Sequence, residues 1–326
     1  MAVTTPLRIA MLNADVPVPN VKSKCGSYGR VFQSLLTAAG DRLNSSSPTQ
    51  SPIVVTAHDF DVVKGQYPES ITDFDVVLIT GSSSSSYDDV EWAHKLDLFI
   101  SDVYENHPSI KFFGSCFGHQ IICQSLLRKH GAYVEKQPSG WELGVHEITL
   151  TDEFLKALAP SAVTTLVPRL PVHTTRRPTP GEDGEDAQTR APKPSSASSS
   201  LRLQFIHADH VKLPSSPASA GEGSAPLLPP SWILMGSTDK CAVQGVYEPG
   251  RVLTFQGHFE FDRFINSETV KVFGAKWDAT FLQDSLDAMD KEDDSEAATD
   301  MVLKFLLEGR RTVEQGLGGL PTPPLS

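Results

Sequence analysis

The sequence predicts an α/β protein built on a mostly parallel sheet, with a smaller antiparallel portion in its second half. Three observations carry this. Apolar runs at 7–12 (LRIAML), 53–57 (IVVTA), 76–80 (VVLIT) and 110–113 (IKFF) are continuous rather than alternating, as strands covered on both faces are. Helical spacing of apolar residues appears between them, at 28–39 (YGRVFQSLLTAA) and 90–104 (VEWAHKLDLFISDVY). Beyond residue 140 the pattern becomes a series of strand-like segments at shorter spacing.

The elements follow in order. The runs at 7–12 and 53–57 flank the first helix, because strands that alternate with helices are joined by crossovers and lie parallel. The run at 76–80 ends at Gly81 and a serine-rich stretch, GSSSSSYDD. Asp88 and Asp89 are placed to cap the helix at 90–104. The strand at 110–113 runs into Gly114-Ser115-Cys116-Phe117-Gly118, and an apolar stretch at 121–127 suits a helix. Strands are expected at 143–150, 201–206, 232–236, 241–247 and 252–256, with Glu248-Pro249-Gly250-Arg251 as a hairpin turn. An amphipathic segment at 297–307 should be a helix packed back on the sheet.

Hydrophobic residues make up 39% of the 326-residue chain, below the globular norm. The deficit is local. Pro, Ser, Gly and Glu dominate 174–200 and 214–231, which read as disordered inserts between strands. The expected organisation is one domain over 1–310, carrying those two inserts, and a flexible tail at 311–326.

The net charge of −12 argues against a nucleic-acid or anionic-membrane surface. No apolar run reaches the length of a membrane span, and the first residues lack a basic segment followed by a long apolar one. A cytoplasmic protein is the expectation. The four cysteines, Cys25, Cys116, Cys123 and Cys241, show no CxxC spacing, so reduced thiols are expected rather than a zinc site or a disulfide framework. His207, Asp209 and His210 lie close in sequence but lack an evident fourth ligand, and no metal is expected there.

The chemistry centres on Cys116. Strand, tight turn and helix is the context of a nucleophile elbow. The cysteine would sit at a helix N-terminus, where backbone N–H groups and the dipole favour the thiolate. The N–H of Phe117 would donate to an oxyanion. The competing reading is a small buried residue at a turn. A nucleophile needs a base, and the base needs an orienter. The best pair is His258 and Glu260 in VLTFQGHFEFD, two apart at the end of a strand-like run and so on one side of an extended chain. Gly81, at the carboxyl end of a strand, would let a second N–H approach a ligand closely. The competing reading there is a flexible serine-rich loop.

Together these motifs resemble the class I, triad-type glutamine amidotransferase family. Its G-x-C-x-G-x-Q nucleophile motif is matched by Gly114, Cys116, Gly118 and Gln120. Its Q-G-H-P-E motif is matched by Gln256, Gly257, His258 and Glu260. Its glycine-rich turn before a Ser-Val-Tyr-Asp-like stretch is approximated by Gly81-Ser82 and Ser86-Tyr87-Asp88. Gly140-Trp141-Glu142-Leu143-Gly144 and His207-Ala208-Asp209-His210-Val211 look like further family segments near the site. The resemblance covers roughly 7–265 apart from the inserts, and is closest to the stand-alone, fungal-like branch. Two departures stand out: Phe259 replaces the usual proline, and Ser82-Ser83 replace Gly-Pro.

The resemblance implies a flavodoxin-like three-layer fold. It implies hydrolysis of the γ-amide of glutamine, or of a γ-glutamyl group, through Cys116, His258 and Glu260. Gly81 and Phe117 would supply the oxyanion hole, and Gln120 would contact substrate. It implies no metal or organic cofactor. The released ammonia would pass to a separate synthetase or biosynthetic enzyme in small-molecule biosynthesis. A γ-glutamyl peptidase acting on glutathione-like conjugates would use the same residues. A non-catalytic ligand- or partner-binding homologue is the third reading.

Overall fold

The computed structural model describes residues 6–46, 52–158, 200–214 and 226–309. Residues 174–199 and 215–225 of the expected inserts, and the expected tail at 311–326, lie outside the described residues.

The apolar runs form the centre of a seven-stranded sheet. Strands β1 (Leu7–Asn13), β3 (Val76–Ile79), β4 (Lys111–Ser115) and β12 (Val252–Phe255) lie parallel side by side, with β2 (Val55–Asp61) parallel to β1 at one edge. The other edge is antiparallel: β11 (Val246–Glu248) pairs with β12, and β9 (Ile233–Leu234) with β11. The order is β2-β1-β3-β4-β12-β11-β9. The chain therefore reverses its direction of growth between β1 and β3, and the crevice above such a switch point is where open α/β sheets bind ligands.

Alternation along each strand divides the side chains between two cores. Ile9, Met11, Val76, Leu78, Phe113, Leu253 and Phe255 face a layer that includes α2 (Tyr28–Ser46) and α8 (Ser295–Leu307). Val77, Ile79, Phe112 and Val252 face α3 (Glu91–Asn106) and α4 (Phe117–Leu127). The buried Lys111 ammonium donates to the carbonyls of Phe305, Leu306 and Glu308 at 2.7, 3.2 and 2.6 Å. A cation at a helix C-terminus complements the dipole, so α8 is tied to the same strand that carries Cys116 at its end.

A second, antiparallel layer covers the carboxyl end of the main sheet. Its three strands run β10 (Gly236–Ser237), β6 (Glu142–Leu150), β7 (Ser200–His207). A two-stranded ribbon pairs β5 (Tyr133–Lys136) with β8 (Asp209–Lys212). The expected strand at 232–236 is split, since β9 joins the main sheet and β10 the antiparallel layer. The expected strand at 241–247 shortens to β11, because 241–245 turn back to bond Thr238 and Met235.

Further differences are local. The first helix runs on from Ala39 to Ser46. α3 starts at Glu91 after Val90, and neither Asp88 nor Asp89 caps it, because Asp88 instead accepts from the N–H of Ser85 at 2.9 Å. Ser200, the last residue of the first expected insert, is a buried residue of β7. At the second insert the N–H of Leu227 donates to the carbonyl of Pro214 at 2.8 Å, and Leu228 packs on the α3–α4 core. Short helices α1 (Pro19–Cys25) and α5 (Asp152–Leu158), and the pair α6 (Arg263–Phe273) and α7 (Ala279–Met289), complete the fold.

Candidate active site

Cys116 sits between the last residue of β4 and the first of α4 with φ 51° and ψ −106°. Among the described residues it is the one non-glycine with positive φ. That conformation costs on the order of 1–3 kcal/mol and persists only where the surroundings enforce it. Two glycines do so. A Cβ on Gly118 would lie 2.2 Å from the carbonyl oxygen of Ile79, and one on Gly114 would lie 2.5 Å from the backbone of Gly118. The turn must be this tight for α4 to pack over β3 and β4, and the tightness lifts the thiol above the sheet edge. The N–H of Cys116 is held by the carbonyl of Phe255 at 2.8 Å.

His258 arrives from β12. After Gln256 the chain leaves the main sheet and bridges to β7, with the N–H of His258 donating to the carbonyl of Gln204 at 2.8 Å. This turns the imidazole toward Cys116. Nδ1 lies 2.7 Å from Oε1 of Glu260 and is the nitrogen that carries hydrogen, since a carboxylate accepts. The opposite nitrogen, Nε2, is buried and unpartnered among the described residues. Gly81 closes the arrangement: a Cβ there would lie 3.0 Å from Cε1 of His258 and 3.7 Å from Cβ of Cys116. The ring also stacks on Phe261, with centroids 4.0 Å apart. Burial would lower the basicity of His258, but the negative charges of Glu260 and Cys116 outweigh it and raise its pKa well above the ordinary histidine value.

Phe259, which stands in the place of the usual proline, points the other way. It is buried against Phe32, Phe113 and Phe255 at centroid distances of 5.4, 5.7 and 6.2 Å. The His258–Glu260 segment is therefore anchored by an aromatic plug in the core rather than by a ring-locked φ.

The serine-rich turn after Gly81 is pinned almost residue by residue. The N–H and hydroxyl of Ser83 both donate to Asp15 Oδ2, at 2.8 and 2.6 Å. The hydroxyls of Ser85 and Tyr87 donate to the carboxylate of Asp209, at 2.5 and 3.1 Å. Ser86 exchanges hydrogen bonds with Gln124 at 3.2 and 2.9 Å. The flexible-loop reading of this stretch does not survive these contacts.

Gln120 and Phe117 are both buried. The amide of Gln120 donates to the carbonyl of Asp209 and to Oε1 of Gln256, each at 3.1 Å. Gln256 in turn points its Nε2 at Cys116 Sγ from 3.6 Å. The segments around Glu142 and His207 meet as a cross-strand pair behind this layer. His207 Nε2 lies 2.8 Å from Glu142 Oε2, and the same carboxylate accepts from Thr238 and Gln244 at 2.7 and 2.9 Å. His207 and His210 are thus engaged by protein groups, and among the described residues no group of three or more His, Cys, Asp or Glu side chains is placed to hold a metal. His119 is sealed behind the elbow against Thr254 at 2.8 Å, and burial holds its pKa down to about 3. Burial pushes the Cys123 thiol far up and the Cys241 thiol up to about 12.

Two contributors were not singled out from the sequence, Ser115 and Asp15, and Asp209 was read as a candidate metal ligand rather than as the partner of Ser85 and Tyr87. Ser115 is buried and donates to Glu260 Oε1 at 2.8 Å. Asp15 had a signal, since it follows β1 at the carboxyl edge of the sheet, the same rank that carries Gly81 and Cys116.

No family model matches the sequence. The chain is 27% identical to a glutamine amidotransferase-like protein of Schizosaccharomyces pombe over 306 residues, 92% of this chain and 98% of that one. It is 24% identical to gamma-glutamyl peptidase 2 of Arabidopsis thaliana over 311 residues, 94% of this chain and 97% of that one. Among solved structures, a glutamine amidotransferase from Thermotoga maritima superposes with a TM-score of 0.55 at 13% identity, covering 92% of this chain and 96% of that one. Another from Methylobacillus flagellatus gives 0.51 at 15%, covering 94% and 95%. The fold is that of the class I glutamine amidotransferases. The chain is thus similar over nearly its whole length to proteins named as glutamine amidotransferase-like and as a gamma-glutamyl peptidase.

Proposed function

We propose that the chain hydrolyses the γ-amide of glutamine, or the amide of a γ-glutamyl compound, through a covalent glutamyl thioester. The observation that carries this reading is the strained Cys116 beside a buried imidazole whose far nitrogen is fixed by Glu260 at 2.7 Å. Strain of this kind is kept where a side chain must be presented.

Sγ of Cys116 attacks the γ-carbonyl carbon as a thiolate, which an adjacent imidazolium stabilises. The N–H groups of Gly81 and Phe117 receive the oxyanion. His258 Nε2 gives its proton to the departing nitrogen, and the C–N bond breaks to leave the thioester. Water then loses a proton to His258, attacks the thioester carbon and releases glutamate with the thiolate restored. Glu260 keeps Nδ1 protonated and the ring aimed at Cys116 in both half-reactions.

Two leaving groups fit this chemistry. Ammonia would be handed to a separate biosynthetic enzyme. An amine would leave from a γ-glutamyl peptidase, as the name of the Arabidopsis relative suggests. Incubating the purified protein with glutamine, and separately with γ-glutamyl peptides, and measuring glutamate and ammonia tests the proposal. Glutamate released by the wild type and not by Cys116→Ala is the expected result. No glutamate from either class would leave the non-catalytic homologue as the reading.

A further inference from the structure

We propose that the cleft on the His258 side of Cys116 is a leaving-group subsite for γ-glutamyl amides of uncharged or cationic amines, and that it disfavours amines bearing a carboxylate. This rests on the hydrolase reading above and goes on to name its substrate class.

The direction of departure follows from the proton. The nitrogen that leaves takes its proton from His258 Nε2, so the amine must lie at the Nε2 edge of that ring, in its plane. The ring is the inner end of an aromatic wall. His258 stacks on Phe261 at 4.0 Å and 13°, and Phe261 stacks on Tyr28 at 5.6 Å and 24°. Ile206 and Phe273 continue the apolar lining of the same cleft. Phe273 remains 39% exposed at its mouth. Release of ammonia needs no such lining. An amine with an apolar body gains by burying it there.

The charge of the cleft sets the selectivity. Its lining includes Asp15, beside His258 and Cys116, and among the described residues neither lysine nor arginine. Tyr28 stays neutral, because burial and the charges of Asp15 and Glu260 raise its pKa. Asp15 is fixed in place by three donors, the N–H and hydroxyl of Ser83 and the N–H of Val16. The groove beyond it shares Asp15 and sets Asp59 and Asp61 against Lys22, the one lysine or arginine of its lining among the described residues. An amino-acid leaving group carries its carboxylate one carbon from the departing nitrogen, so it would enter facing Asp15, and the His258 imidazolium beside it is already paired with Glu260. At the effective dielectric of a partly exposed site, such a like-charge pair costs on the order of tenfold in kcat/KM.

The test uses two substrates that differ only by the carboxylate, γ-glutamylphenethylamide and γ-glutamylphenylalanine, with glutamine as reference. Glutamate release by the full-length protein is measured for each. The expected result is a kcat/KM about tenfold higher for the phenethylamide than for γ-glutamylphenylalanine. Phe273→Arg, which adds a cation at the exposed mouth, should shrink that ratio toward one, and Asp15→Asn should do the same. Equal rates in the wild type, a preference for γ-glutamylphenylalanine, a ratio unmoved by Phe273→Arg, or turnover of glutamine alone would overturn the subsite while leaving the hydrolase reading intact. No glutamate from any of the three would remove both.

Discussion

Ser115 and His258 donate to the same oxygen of Glu260. The Ser115 hydroxyl reaches Oε1 at 2.8 Å and His258 Nδ1 reaches it at 2.7 Å. Ser115 is the last residue of the strand that presents Cys116, so the strand under the nucleophile also steadies the carboxylate that aims the base.

Ser115→Ala should therefore lower kcat by about tenfold, the equivalent of ~1.4 kcal/mol, with KM little changed. The side chain touches no substrate in the proposed mechanism, so steady-state kinetics separate this role from binding. A change confined to KM would contradict it.

The alkylation order of the cysteines follows from burial and from the cleft. Cys116 lines the cleft, whereas Cys123 and Cys241 are buried at 0% exposure with thiols pushed up by desolvation. Iodoacetamide should label Cys116 faster than either. Peptide mapping by mass spectrometry reads the order, and Cys123 modified first would be inconsistent with the site.

Phe259→Pro restores the residue usual in the family but removes a fully buried ring from the cluster of Phe32, Phe113 and Phe255. A stability loss of about 3–5 kcal/mol in chemical denaturation is expected. A neutral effect would mean that the aromatic plug contributes little.

Acid stability should depend on Glu142. Burial alone would raise its pKa, but the hydrogen bond from His207, that residue's charge and the Thr238 hydroxyl hold it down at about 2. A carboxylate whose pKa is depressed on folding contributes stability above its unfolded value of about 4.5, and the contribution is lost as pH falls from there toward 2. Glu142→Gln should flatten the loss of stability across that window, by on the order of 3 kcal/mol. Denaturation midpoints from pH 6 to pH 2.5 check it, and parallel curves for the two proteins would refute it.

Much of the fold was legible because parallel strands buried on both faces write continuous apolar runs, and β1, β3, β4 and β12 all do so. The candidate triad was legible because Cys116 and the His258–Glu260 pair each lie within a short motif at a strand end. What stayed hidden is what the chain assembles over distance. Asp15 holds Ser83 from 68 residues away, and Asp209 holds Ser85 from 124. No local pattern records such pairings. Helices α6 and α7 were missed although Asp262 and Asp278 cap them through their side chains. Their exposed Val272, Phe273 and Phe281 blur the apolar stripe that would reveal amphipathic helices. Ser115 escaped because its partner, Glu260, comes 145 residues later.

The central claim is that Cys116 and His258 act as one unit in amide hydrolysis. The most direct measurement is glutamate release from the best γ-glutamyl substrate by the wild type, Cys116→Ala, His258→Ala and the double variant. Groups that act together are non-additive, so each single variant should abolish turnover nearly completely and the double variant should be scarcely worse than either. Glu260→Gln should lose less than His258→Ala, because it weakens orientation and leaves the base in place. Wild-type turnover by His258→Ala, alongside an inactive Cys116→Ala, would contradict the account and require a different base.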